Sequence, residues 1–319
     1  LVDRFGNKEL IYRDVSIGSL WPIPLRARPC PPALPSSLVE DRPGEGTFYL
    51  QNVYESWPWL GGANDAVKRL RIVQVLPKTT PHANTPRVGL ANASPGKQVL
   101  GTVPVDADGS AYFRAPAGIP LAFQALDERG MAIQTMRSLT YLQPGEQAGC
   151  IGCHEHRSTA APVGMATLAA RRPPSAIEPG PEGSNPFNYA ILVQPLLDKR
   201  CVECHRPERA DGGVDLSGTP AGEFTVSYNA LAPLVPFSQW KGAPQANHEP
   251  LTYPDRFGAR ASKLMKLLSA GHENVSLSDE EYERLITWMD ANALFYGTFD
   301  PQNQQRQRRG ERIAGPALQ

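Results

Sequence analysis

No run of about eighteen apolar residues occurs in this chain, so nothing in it reads as a transmembrane helix. It has no charge excess either. Lys and Arg number 32 against 32 Asp and Glu, and zero formal net charge leaves no global basic field for nucleic acid or an anionic membrane. There is no initiating Met and no signal peptide: Leu1-Val2-Asp3 already reads as a strand, which predicts a missing upstream part of a longer chain. Cysteine is scarce, five in 319 residues, and four of the five fall in two short motifs. The fifth, Cys30, reads as a buried, inert thiol. The length suits two domains and part of a third.

The two motifs are C-x-x-C-H: Cys150-Ile151-Gly152-Cys153-His154 and Cys201-Val202-Glu203-Cys204-His205. This pentapeptide attaches a c-type haem, because two thiols three residues apart each add to a vinyl group and the next residue offers an imidazole to iron. With 5 Cys and 6 His in the chain, one chance match has odds of roughly one or two in a thousand. Two matches predict two covalently bound haem c groups. A Cys₄ zinc site is the weaker alternative: the 47 residues between Cys153 and Cys201 far exceed ribbon spacing, and zinc leaves both histidines unexplained. A thioredoxin-like dithiol needs no histidine at that place.

The expected fold class is multidomain α+β. Residues 1–36 read as a β-hairpin, with its turn at Phe5-Gly6-Asn7, followed by a connector carrying Pro22, Pro24, Pro29, Pro31, Pro32 and Pro35. Residues 37–170 read as an all-β, sandwich-like middle domain. Short β-branched runs there, such as Leu70 to Leu76 and Val99 to Val105, are joined by Asp/Gly turns, and the domain ends in the first motif. Residues 171–186, dense in proline, read as a linker. Residues 187–299 read as a mainly helical cytochrome c-like domain: a helix from Ala190 to Lys199 presents the second motif, and Lys263 to Ala270 stops at Gly271. Ser278 and Glu281 form a capping box, with Leu277 stapling to Tyr282. Tyr282, Leu285, Ile286 and Met289 share one helix face, expected to pack on the second haem. Residues 300–319, rich in Gln and Arg, read as a disordered tail.

His154 and His205 are placed as iron ligands by the motifs. For the second haem His272 is the leading sixth ligand, on a loop between a helix end and a capped helix, with His248 as runner-up; the other reading of His272 is a surface histidine. Met265 and Met289 read as core. For the first haem, His156 lies too near the motif to reach the far face. His82, Tyr141 and Met165 are weaker candidates, so this iron is expected to be five-coordinate.

Three stretches carry a family resemblance: Pro77-Lys78-Thr79-Thr80-Pro81-His82, Tyr141 to Gly145 with Cys150 to Arg157, and Trp288 to Gly297. With them the chain resembles the hydrazine synthase alpha subunit and its relatives over nearly all its length. The resemblance implies a β-propeller first, of which residues 1–16 would be the truncated end, then a middle domain with one c-type haem, then a domain with a bis-histidine haem. It supports His205 with His272 as a ligand pair. In the synthase the middle-domain haem looks to be bound by a tyrosine four residues past the motif histidine, while that histidine goes to zinc. Here that position is Ser158, a poor iron ligand, so the chain looks like a relative rather than the synthase itself, with His154 on iron.

The expected function is an exported dihaem cytochrome, periplasmic or otherwise extracytoplasmic because haem is attached there, passing single electrons to a redox partner protein. Further subunits are expected, and neither nucleic acid nor a membrane span. The alternative is an oxidoreductase related to the synthase, whose open middle haem acts on a small nitrogen or oxygen species.

Overall fold

The protein's structure is a computed structural model that describes residues 1–33, 44–60, 66–154, 156, 158, 166–181, 183–241, 246–247 and 252–315. The chain divides into two compact units, Leu1–Ser37 and Leu38–Gln319. In the first, a single antiparallel bridge joins Val2 to Lys8, and the Asp3 carboxylate closes the turn by accepting from Phe5 N (2.8 Å) and Asn7 N (2.9 Å). The hairpin read from the sequence is therefore a one-bridge turn. Cys30 is exposed, not buried.

The larger unit is mixed α+β. Among the described residues its β part is built on a four-stranded and a three-stranded sheet. One, in the order β3-β2-β5-β6, is wholly antiparallel: β2 (Arg69–Val75), β3 (Lys97–Pro104), β5 (Leu121–Leu126) and β6 (Ala132–Thr135). The other, in the order β4-β1-β7, pairs β1 (Glu45–Leu50) antiparallel with β4 (Ala111–Pro116) and parallel with β7 (Gln147–Cys150). Side chains alternate across a strand, so Phe48 and Leu50 point inward from β1. They meet Leu70 and Ile72 of β2, Phe113 of β4 and Leu121 of β5 in one core shared by both sheets. Phe48, Phe113 and Phe123 pack there with ring centroids 5.2–5.8 Å apart, the two Phe123 contacts being edge-on.

Two segments differ from the sequence expectation. The proline-rich stretch 171–186 is docked along the sheets: Ser175 exchanges backbone hydrogen bonds with β4, and Glu178 does so with Thr102 of β3. Ile177 packs into the core. Proline removes some donors, but Ser175 and Glu178 keep theirs, which is enough to strap an edge strand. The second difference is the polar C-terminal stretch, which forms a helix over Pro301–Arg308 with Asp300 as its N-cap. Its few apolar groups mattered less than its amides. Buried Gln307 accepts from Gly297 N and donates to Phe187 O (2.8 Å), and Gln304 donates to Arg87 O (2.9 Å). Ile313 is buried.

The helical part comprises α1 (Tyr189–Leu192), α2 (Gln194–Arg200), α3 (Val226–Leu231), α4 (Gly258–Ala261), α5 (Lys263–Ser269), α6 (Asp279–Asp290) and the C-terminal α7 (Pro301–Arg308). Ser278 caps α6 with the full reciprocal box to Glu281. The core gathers Tyr189, Tyr228, Leu285, Trp288, Met289 and Phe295, with Met265 also buried in it. Among the described residues no helix is long and apolar enough to cross a membrane.

Arg71 of β2 ties the two parts together. It is buried on the sheet face away from the β core, where its Nη1 reaches Asp290 at the end of α6 (3.1 Å) and Gln124 (2.8 Å). Lys97 of β3 adds a second tie by donating to Ala291 O (2.9 Å) just past α6, and burial pushes its ammonium down to about 8.

Candidate haem centres

The two motifs share a spelling but not a backbone. Cys201 ends α2, and the chain continues as one helical turn: Cys204 N and His205 N both donate to Cys201 O, at 3.2 and 3.0 Å. That turn presents the two thiols and the imidazole from one short, rigid element. Cys150, in contrast, is the last residue of β7 and is paired with Leu50. The chain leaves the sheet as an irregular loop, in which His154 adopts φ +74 and is exposed.

That loop is moulded onto residues 51–57, a platform the sequence reading did not single out. Gln51 N donates to Cys150 O (2.9 Å), Asn52 N to Ile151 O (3.0 Å) and Trp57 N to His154 O (2.7 Å). At Gly152 a methyl group would overlap the Glu55 carbonyl oxygen, so only glycine allows this approach. The exposed tryptophans Trp57 and Trp59 were the available signal. Cys150 and Cys153 pack against the β core, and burial, then the neighbouring Cys150, pushes the Cys153 thiol up to about 12. Both observations fit a buried thioether pair.

The expected sixth ligands of the first centre are scattered. The ring of His156 sits edge-on to Trp57 at 5.4 Å, and its Nδ1 accepts from Ser158 N (3.2 Å), which puts the proton of the neutral ring on Nε2. His82 is exposed on a loop tied to Phe299 through Lys78 and to Asn92 through Asn84. Tyr141 is exposed. Met165, together with residues 155, 157 and 159–164, lies outside the described residues, as does His248.

The second centre is better assembled. The imidazoles of His205 and His272 are neighbours, with centroids 6.0 Å apart and planes 18° from parallel. A metal–nitrogen bond of about 2 Å on each side requires a centroid separation of about 6 Å. His205 Nδ1 lies 3.2 Å from Val214 O. A carbonyl only accepts, so Nδ1 carries the proton and Nε2 is the atom that could bind a metal. His272 follows α5 and Gly271, on the loop that the sequence had indicated. Beside Cys201 lies a recess of about 310 Å³ lined only by apolar residues, among them Leu197, Leu216, Leu264, Leu268 and Leu285. Burial pushes the Cys201 thiol up to about 11. An apolar wall, a thiol pair and two neighbouring imidazoles suit a haem. A larger cleft of about 770 Å³ between β3, α1 and α6 contains neither cysteine nor histidine, so it offers none of these groups. Cys150 and Cys153 pack against one core and Cys201 against the other, and among the described residues no group of three or more His, Cys, Asp or Glu gathers as for a metal ion.

Glu281 holds the second motif in place. Its carboxylate receives Arg200 (2.9–3.1 Å) and Lys199 (2.8 Å) from the end of α2, and Ser278 N (2.9 Å) from its own cap. The Arg200 hydrogen bond is the largest of the effects that bring its pKa down to about 2 from the ordinary 4.5. A depressed carboxylate stabilises the fold fully above its unfolded pKa and loses that contribution as pH falls through its folded pKa. Acid unfolding should therefore steepen between about pH 4.5 and pH 2. Glu281→Gln should remove that slope and cost about 1–2 kcal/mol at pH 7, since Lys199 and Arg200 are partly exposed. Urea titrations across this range measure both effects.

Residues 65–155, which include the whole first motif, match a protein family described as the hydrazine synthase alpha subunit middle domain. Hydrazine synthase subunit alpha of Kuenenia stuttgartiensis is 23% identical over 52% of this chain and 29% of its own length. The solved structure of Kuenenia stuttgartiensis hydrazine synthase shares the fold at a TM-score of 0.57 and 18% identity, covering 82% of this chain and 44% of that one. The chain thus spans less than half the length of the proteins it matches. Taken with the motif geometry, these likenesses make the chain a relative of the hydrazine synthase alpha subunit.

Proposed function

We propose that the chain is an extracytoplasmic dihaem c-type cytochrome that passes single electrons, with one haem attached at Cys150 and Cys153 and the other at Cys201 and Cys204. The observation that carries this is the neighbouring pair His205 and His272 beside the apolar recess at Cys201. A haem held by His205 and His272 would supply one-electron iron chemistry, and two protein ligands on its iron would favour electron transfer over substrate chemistry. His205 is held in one tautomer and orientation by Val214 O, which leaves its Nε2 for the iron. The leucines of the recess would give a haem attached at Cys201 an apolar surface to pack against. A redox partner protein, and further subunits of the kind that a subunit's relative implies, complete the assignment.

A second reading attaches to the first centre. Its histidine leaves the strand at φ +74 into solvent instead of rising from a helical turn. That favours a haem open on one side, and with it an oxidoreductase acting on a small nitrogen or oxygen species. Low-temperature EPR of the oxidised, haem-loaded protein, with a pyridine haemochrome count on the same sample, separates the two. Two haems and two low-spin signals are expected of the electron carrier. One high-spin signal would transfer the assignment to the enzyme, and a count of zero would remove both.

A further inference from the structure

The two imidazoles of the second centre are held with unequal firmness. His205 is bracketed by the helical turn of its own motif, its ring is fixed by Val214 O, and its carbonyl accepts from Leu216 N (2.8 Å). Among the described residues the ring of His272 has no hydrogen bond, and its loop is strained. Gly271 sits at φ +90, Glu273 at +44 and Asn274 at +58, so three of four consecutive residues are left-handed. Glycine adopts that region readily and asparagine tolerates it, whereas a glutamate there is strained. Gly271, Glu273 and Asn274 are all exposed. Between the end of α5 and Val275, the backbone ties are Ala270 N to Lys266 O, Gly271 N to Leu268 O and Val275 N to His272 O. The loop can therefore swing away without uncovering a buried side chain.

The geometry points to His272 as a displaceable cap, so that the second centre also binds a small neutral diatomic ligand of the carbon monoxide class. This rests on the assignment of His205 and His272 as the ligand pair. The exchange is a substitution on ferrous iron: the bond to the His272 nitrogen breaks, a bond from the lone pair of the incoming ligand forms, and no electron or proton is transferred. Relaxation of Glu273 out of the left-handed region favours the open state, while His205 stays in place through Val214.

The test uses carbon monoxide on the dithionite-reduced, haem-loaded full chain, read by optical titration and stopped flow. The wild type should take up as many equivalents per protein as His272→Ala, at a rate that saturates with ligand concentration because His272 must leave first. Glu273→Gly, which removes the strain, should slow uptake on the order of fivefold. Gly271→Ala should quicken it: nothing lies within 4 Å of the added methyl, but φ +90 is strained for alanine. One more equivalent bound by His272→Ala than by the wild type would overturn the proposal, as would equal rates for the wild type and both loop variants. Near-infrared circular dichroism in a magnetic field checks the ligand pair separately. Absence of a bis-imidazole band would mean that the assignment had failed, and would take the proposal with it.

Discussion

Asp290→Ala is expected to lower the stability of the larger unit by about 3–5 kcal/mol, because it leaves the Arg71 guanidinium buried without its counter-ion. The Asp290 side chain is fully buried and that of Arg71 is 4% exposed. The carboxylate also accepts from Ala132 N and Ala259 N, both at 2.9 Å, so its loss orphans two backbone donors as well. Burial pushes the Asp290 carboxyl up, and Arg71 with those two N–H groups works against it. A single carboxylate thus joins α6, α4 and the edge of β6 to the central strand β2. Arg71→Ala should cost a similar amount. The double variant should cost clearly less than the sum, since removing both partners removes the unpaired charge. Urea midpoints for the three variants close the cycle, and additivity would mean that the pair is not coupled.

The helical part was the more legible half of the fold because its signals are local. Ser278 and Glu281 sit three residues apart before an apolar face, and the α6 cap forms as that spacing demands. Gly271 likewise ends its helix in the left-handed conformation that glycine permits. Helix α7 escaped because its stability is tertiary. Gln304 and Gln307 are polar by composition, but they satisfy backbone groups more than a hundred residues away. The strap at 171–186 was missed for the same reason, since its partners are edge-strand amides that no sequence pattern announces.

The candidate chemistry is legible where covalent spacing dictates it: C-x-x-C-H singles out Cys150, Cys153, Cys201 and Cys204 as the proposed attachment points without any knowledge of the fold. His272 is a candidate from sequence because loops between a helix stop and a helix cap often carry function, and its ring centroid lies 6.0 Å from that of His205. Identical pentapeptides gave no hint that one would be a helical turn and the other the end of a strand. That difference is set upstream, by α2 in one case and by the pairing of β7 with β1 in the other. Val214 was invisible because it acts through its carbonyl, which every residue carries.

Replacing Cys201 and Cys204 with serine should change more than a haem count. The count should fall from two to one, with the remaining haem at Cys150 and Cys153. Without the proposed second haem, the apolar residues that line the recess at Cys201 would face water or collapse on one another. Taking an apolar partner away from these side chains removes burial that stabilises them, so the elements that carry them should lose stability. Leu197, Leu264, Leu268 and Leu285 line the recess and sit on α2, α5 and α6, so the loss should fall on the helices that present His205 and His272. The β part keeps its own core around Phe48, Ile72 and Phe113, and should not share the loss. Hydrogen exchange can read the two parts separately in one sample. Protection should vanish from α2, α5 and the start of α6 while β1, β2 and β5 stay protected. Unchanged protection in the helices would mean that the leucine recess closes on itself without haem, and that the second centre is filled by something smaller.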